Sequence, residues 1–83
     1  MRTVVLYGRP KCHLCDEARR IVSELVAEAP DIELRERNIE DDDALHERFL
    51  ERIPVIELDG VIVEELVPDP DRLRSTLLNT SAR

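Results

Sequence analysis

An α/β fold with the order β-α-β-α-β-β-α, a four-stranded mixed sheet and helices on both faces is the architecture that this 83-residue sequence predicts. Three observations predict it. Thr3-Val4-Val5-Leu6-Tyr7 is a continuous apolar, β-branched run closed by Gly8 and Pro10, as expected of a strand covered on both faces. Leu14, Ala18, Ile21, Val22, Leu25, Val26 and Ala29 recur at three- and four-residue steps, the period of a helix with one buried face. Val55-Ile56-Glu57-Leu58 and Val61-Ile62-Val63 flank Asp59-Gly60, a pair that supplies the positive φ angles of a two-residue hairpin turn.

Taken in order, the first strand has no charged face and so belongs at the centre of the sheet. Pro30 stops the helix that follows. Ile32 and Leu34 alternate with Glu33 and Arg35 as in a half-exposed edge strand, and the alternation slips before Ile39, where the element ends. Glu40-Asp41-Asp42-Asp43 precedes Ala44, Leu45, Phe49 and Leu50. This acidic run reads as the N-cap and first turn of a second helix, where the helix dipole favours negative charge, and that helix ends near Glu51 or Arg52, shortly before Pro54. After the hairpin, Asp69-Pro70-Asp71 resembles an N-cap followed by proline at the first helical position. Leu73, Leu77 and Leu78 give that short helix its apolar stripe, and the chain is expected to fray from about Asn79. A β-α-β unit requires a parallel first pair joined by a right-handed crossover, whereas the hairpin is antiparallel, so the sheet is mixed.

A chain of this length forms one domain, residues 1–83, near the size where a single core becomes marginal. No apolar stretch is long enough to span a bilayer, and Val4-Val5-Leu6-Tyr7 is far shorter than the apolar region of a secretory signal. The expectation is a soluble, cytoplasmic monomer. Nineteen acidic against twelve basic side chains leave a net charge of −7, which disfavours nucleic acid and anionic lipid as partners and leaves docking onto a basic protein surface open. One tyrosine, one phenylalanine and no tryptophan exclude a base-stacking platform and leave the core to aliphatic residues.

Cys12 and Cys15, the only cysteines, stand between the first strand and the first helix in Tyr7-Gly8-Arg9-Pro10-Lys11-Cys12-His13-Leu14-Cys15. Two thiols spaced i, i+3 on a first helical turn have Cα atoms roughly 5 Å apart, within the range of about 4.4–6.8 Å that a disulfide tolerates. Such a bridge closes almost no loop and constrains little of the unfolded chain, so its use is chemical rather than structural. The placement points to thiol–disulfide chemistry.

Together, Val4-Val5-Leu6-Tyr7 leading into Cys12-His13-Leu14-Cys15 at a helix start, and Arg52-Ile53-Pro54-Val55 opening the hairpin, resemble the thioredoxin-fold redox proteins and, within them, the small glutaredoxin-like redoxins. The resemblance covers nearly the whole chain. It implies the thioredoxin fold, Cys12 as exposed nucleophile, Cys15 as the more buried resolving thiol, and Pro54 as a cis-proline lying against the disulfide. It also implies that the backbone of Ile53 pairs with a substrate's extended chain. Physical chemistry agrees about Cys12: a helix N-terminus stabilises a thiolate, and Lys11 and Arg9 add positive charge, while Asp16 and Glu17 oppose the effect.

If the Cys12 pKa fell from about 8.5 to about 6, the thiolate fraction at neutral pH would rise roughly 30-fold while nucleophilicity fell about tenfold. The larger gain then lies in the step where Cys12 leaves a mixed disulfide. Protonated His13 would favour the thiolate further; its plainer reading is an exposed ring with an ordinary role on the surface.

Glutaredoxins carry a Gly-Gly pair and an acidic residue after the last strand to hold the γ-glutamyl end of glutathione. Here Glu64-Glu65-Leu66-Val67-Pro68-Asp69 contains no glycine, and Cys-His-Leu-Cys replaces the common Cys-Pro-Tyr-Cys. The resemblance therefore implies a dithiol oxidoreductase that acts on disulfide-containing proteins or small disulfides, with no cofactor beyond its own disulfide. Its electron donor stays open among glutathione, another low-molecular-weight thiol and a flavin-dependent reductase.

Two other readings compete. Zinc or an iron–sulfur cluster would need more ligands: His13 lies between the cysteines and points away from their face, and His46 is about thirty residues on in a separate helix. A binding module with an incidental dithiol would sit more easily with a lost cysteine or a lost Pro54. The acidic run at residues 40–43 lacks the glycine-punctuated loop of a calcium site, and no nucleotide-binding loop or catalytic serine arrangement is present.

Overall fold

Val4 and Leu6 enter one apolar core and Val5 and Tyr7 another, so the first strand, β1 (Arg2–Gly8), feeds both faces of the sheet. This is why its sequence is an unbroken apolar run rather than an alternation. The computed structural model describes residues 2–79. In it β1 is followed by α1 (His13–Ala27), β2 (Ile32–Asn38), a 3₁₀ turn (Ile39–Asp41), α2 (Asp43–Phe49), β3 (Val55–Leu58), β4 (Val61–Glu65) and α3 (Pro70–Asn79).

The strand order is β2-β1-β3-β4. β1 runs parallel to β2, with Val4 opposite Leu34 and Gly8 opposite Asn38, and antiparallel to β3, with Tyr7 opposite Val55. β3 and β4 are antiparallel, with a register shift between Ile56 and Glu57. The predicted mixed four-stranded sheet, with β1 inside and β2 at an edge, is therefore present. α1 and α3 bring Ile21, Val22, Leu25, Leu73 and Leu77 to one face, and α2 brings Phe49 to the other.

The hairpin turn has the expected geometry, with φ of 50° at Asp59 and 89° at Gly60. Asp59 also ties the turn to the sheet. Its carboxylate accepts from the Thr3 N–H at 2.9 Å, and its own N–H donates to the Thr3 carbonyl at 2.9 Å. β4 continues to Glu65, two residues beyond the predicted end.

The acidic run is divided rather than continuous. Glu40 and Asp41 lie in the 3₁₀ turn, where the Glu40 N–H donates to the Asn38 side-chain oxygen at 2.8 Å. Asp42 alone caps α2, accepting from the Ala44 and Leu45 N–H groups at 2.8 and 3.3 Å. α2 stops at Phe49, earlier than Glu51, and the Phe49 carbonyl accepts from both the Arg52 and Ile53 N–H groups as the chain leaves the helix ahead of Pro54, whose ring disfavours a helical conformation at the residue before it.

Leu14 departs from the predicted buried stripe: it is 40% exposed. At the first turn of α1 the inward position belongs to Cys15, and the stripe becomes buried only from Ala18 onward. The expected fraying falls on residues 80–83, outside the described residues, while Asn79 itself closes α3. Among the described residues no helix is long and apolar enough to cross a membrane.

Candidate active site

β1 ends at Gly8, and four residues later Cys12 becomes the N-cap of α1 with extended backbone angles of −103° and 109°. A cap side chain ordinarily offers an oxygen to the free N–H groups of the first turn. Here the sulfur takes that place, and the Cys15 N–H donates to Cys12 Sγ at 3.2 Å. The Asp16 N–H closes the first helical bond onto the Cys12 carbonyl at 3.1 Å. One residue before the cap, Lys11 holds a φ of 63°, an uncommon conformation for a residue with a side chain.

Cys12 and Cys15 are joined as a disulfide, with Cα atoms 5.2 Å apart, in agreement with the spacing argument. Cys15 is 1% exposed and Cys12 is half-buried. The expected asymmetry between an accessible and a buried sulfur is present, although Cys12 is less open than a fully exposed residue.

Cys15 rests in the second core with Tyr7, Ile39, Phe49, Ile53 and Val55, and Cys12 packs against the same cluster. The Tyr7 and Phe49 rings lie 4.8 Å apart between centroids. The Tyr7 hydroxyl donates to Glu57 Oε1 at 3.0 Å. Burial, that hydrogen bond and the Glu57 charge push the phenol above its usual value of 10, with Arg37 and Arg48 pulling weakly the other way.

The Ile53–Pro54 peptide is cis and both residues are buried. The Ile53 N–H is already committed to the Phe49 carbonyl at 3.0 Å. The segment after β4 is fastened to this loop: the Leu66 N–H donates to the Arg52 and Pro54 carbonyls at 3.1 and 3.0 Å, and Arg52 pairs with Glu65. Leu66 itself has a φ of 63° and is 48% exposed, beside Val67, also exposed. The segment after β4 thus holds a leucine in a backbone conformation that glycine adopts more readily.

The carboxylates after the cysteines are engaged elsewhere. Asp16 pairs with Arg19 at 3.0 Å, and Glu17 pairs with Arg20, whose hydrogen bond and charge hold the Glu17 carboxyl below its usual range. Arg9 and Lys11 are exposed and join none of the ion pairs among the described residues. The opposition expected from Asp16 and Glu17 is thereby weakened, and the cations keep their influence. His13 opens α1 and is exposed; His46 is half-buried in α2. Among the described residues no three His, Cys, Asp or Glu side chains gather as a metal site.

Beside Cys15 lies a cavity of about 340 Å³ whose walls include Gly8, Pro10, Asp16, Arg19 and Arg37. By sequence alone Gly8 reads only as a strand terminator and Tyr7 only as part of the apolar first strand. Gly8 packs against Cys15, and a glycine four residues before the first cysteine was the available signal for it. For Tyr7 and Glu57, which are fifty positions apart, there was none.

The family model described as Glutaredoxin-like domain (DUF836) matches residues 3–78. The chain belongs to the glutaredoxin-like domain family. Among solved structures, this glutaredoxin-like chain is similar to the target protein XcR50 from X. campestris, at 33% identity and a TM-score of 0.66, covering 89% of this chain and 93% of that one. It is also similar to protein Ne2328 from Nitrosomonas europaea, at 28% identity and a TM-score of 0.74, covering 92% and 91% of the two chains. The thioredoxin of Trypanosoma brucei brucei, at 15% identity, a TM-score of 0.75 and coverage of 100% and 77%, shows the shared thioredoxin fold. No curated protein matches the sequence. A glutaredoxin-like fold with a bridged Cys12–Cys15 pair is consistent with thiol–disulfide redox function.

Proposed function

We propose that this protein is a dithiol thiol–disulfide oxidoreductase that reduces disulfides of proteins or small molecules through Cys12 and Cys15. The observation that carries the reading is the Cys12 sulfur at the cap of α1, bridged to a buried Cys15 and receiving its N–H. In the reduced protein that N–H, the helix dipole and the positive charges of Arg9 and Lys11 favour the Cys12 thiolate.

The thiolate of Cys12 attacks one sulfur of a substrate disulfide. The substrate S–S bond breaks, the departing sulfur takes a proton, and a mixed disulfide forms on Cys12. Cys15 then loses its proton and attacks Cys12 Sγ, so that the second substrate sulfur leaves as a thiol. Two electrons have passed from the dithiol to the substrate, and the Cys12–Cys15 bond is closed. A reductant, whether glutathione, another small thiol or a flavin-dependent reductase, reopens it.

Lys11, His13, Ile53 and Pro54 are the proposed substrate-binding residues. Because the Ile53 N–H is occupied, an extended substrate would pair with the Ile53 carbonyl. The proposal includes a monomer working in the cytoplasm.

The test combines a redox titration with trapping. Scored by alkylation and mass in graded thiol/disulfide buffers, the pair should close in one two-electron transition between roughly −200 and −270 mV. Cys12→Ser should abolish turnover, and Cys15→Ser should accumulate the mixed disulfide. Near-normal activity in both variants, or thiols that never pair, would overturn the assignment.

A further inference from the structure

Gly8 is the last residue of β1, and its φ lies outside the left-handed region, so its backbone has no need of glycine. Space is what requires it. A Cβ at this position would stand 3.0 Å from Cys15 Sγ and 3.1 Å from Cys15 Cβ, tighter than nearly all side-chain carbons pack, so that Cys15 would have to give by a few tenths of an ångström. The contact falls on the sulfur that the redox cycle opens and closes.

Cys15 has two situations in that cycle. In the disulfide its Sγ is held by the bond to Cys12, with the core residues Phe49, Ile53 and Val55 around it, and it cannot turn away from β1. As a free thiol its sulfur can change rotamer into the cavity of about 340 Å³ that Cys15 and Gly8 both line, so the Sγ contact is relieved while the Cβ contact stays the same in both states. A methyl group on residue 8 would therefore burden the oxidised protein more than the reduced one.

We propose that Gly8 is a positioning residue for the redox couple, acting through Cys15: the missing side chain lets the Cys12–Cys15 disulfide close without strain. The inference rests on the dithiol reading above. The reaction it concerns is the equilibrium in which the two protein thiols give up two electrons and two protons to a small disulfide, leaving the protein disulfide and two small thiols.

The test is Gly8→Ala, titrated beside the wild type in the same graded thiol/disulfide buffers. The equilibrium constant for closing the protein disulfide should fall at least tenfold, which for a two-electron couple moves the midpoint about 30 mV toward more oxidising values. The oxidised variant should lose more of its denaturant midpoint than the reduced variant, whereas a merely structural glycine would lower both equally and leave the redox midpoint in place.

Should Gly8→Ala fold in neither state, the Gly8→Ala/Cys15→Ala double variant decides. Recovery of a folded protein once the sulfur is gone supports the assignment, and continued failure overturns it. A wild type that never forms the disulfide would instead defeat the redox reading itself, while a wild type that titrates normally beside an unshifted Gly8→Ala defeats the Gly8 assignment alone.

Discussion

The backbone N–H of Cys15 points at the Cys12 sulfur, 3.2 Å away, so the side chain that caps α1 is the one that dithiol chemistry needs ionised. The reduced Cys12 thiol is accordingly expected to titrate below its ordinary value of about 8.5. Rates of alkylation as a function of pH, in the Cys15→Ser variant, give this directly; a midpoint at or above 8.5 would remove the proposed role of the helix terminus. The same geometry separates stability from activity. Cys12→Ser keeps an acceptor at the cap, whereas Cys12→Ala should cost about 1 kcal/mol in denaturant unfolding of the reduced protein.

Tyr7 should govern part of the alkaline limb of stability. Its folded-state pKa is raised by burial and by its hydrogen bond to Glu57, so the protonated phenol is the form the fold favours. The resulting stabilisation is complete below about pH 10, where the unfolded tyrosine begins to ionise, and is lost as pH rises from there through the folded value. Unfolding free energies measured from pH 9 upward should fall more steeply for the wild type than for Tyr7→Phe. Parallel curves would mean that the phenol titrates no differently in the fold.

Leu66 offers a test of backbone strain beside the site. Holding a residue with a side chain at a φ of 63° costs roughly 1–2 kcal/mol, and glycine avoids this while losing about 0.5–1 kcal/mol in chain entropy. Leu66→Gly is expected to leave urea stability within about 1 kcal/mol of the wild type. Leu66→Val, β-branched and far less tolerant of that conformation, should be the less stable of the two. Equal losses would point to side-chain packing instead of backbone geometry.

Among the described residues Glu64 is the one charged residue of the buried set, 8% exposed, and Arg72 donates to its carboxylate from α3 at 3.3 Å. Arg72 is itself largely exposed, so solvent screens the pair and Arg72→Ala should destabilise by about 1 kcal/mol at most. Replacing the acid by Leu removes the need for a partner, and Glu64→Leu is expected to be neutral or stabilising. Thermal unfolding of both variants decides, and the opposite order of stabilities would show the pair to be worth more than an apolar contact.

Much of the fold could be read in advance because its signals are local. The double-faced run of Val4 to Tyr7, the three-and-four spacing from Ala18 and the Asp59-Gly60 turn each express a period or a φ preference within a few residues, and each element appears where it was expected, except that α1 ends at Ala27 and leaves the buried Ala29 outside the helix, short of the expected stop at Pro30. Errors arose where two local signals overlapped. The acidic run looked like one helix start because every member suits a first turn, yet Asn38 and Asp42 each cap a separate element. Leu14 fitted the helical stripe by spacing, but a stripe does not say where along its length the helix meets the sheet.

The cysteine pair, its spacing and its place between a strand and a helix come from the order of residues alone, because a C-x-x-C at a helix start brings two sulfurs within reach in any fold. The surroundings of that pair come from elsewhere in the chain. Phe49, Ile53 and Val55 close over Cys15, the Leu66 N–H reaches the Pro54 carbonyl, and Tyr7 meets Glu57, all through contacts between residues far apart in sequence. Gly8 stands between the two cases: it is near in sequence, but the contact that makes its missing side chain matter exists only once α1 folds back and lays Cys15 against the end of β1. Local periodicity specifies which groups the chain possesses and in what elements, whereas close packing across the sheet specifies which of them lie so near that one more methyl group would make a neighbour give way.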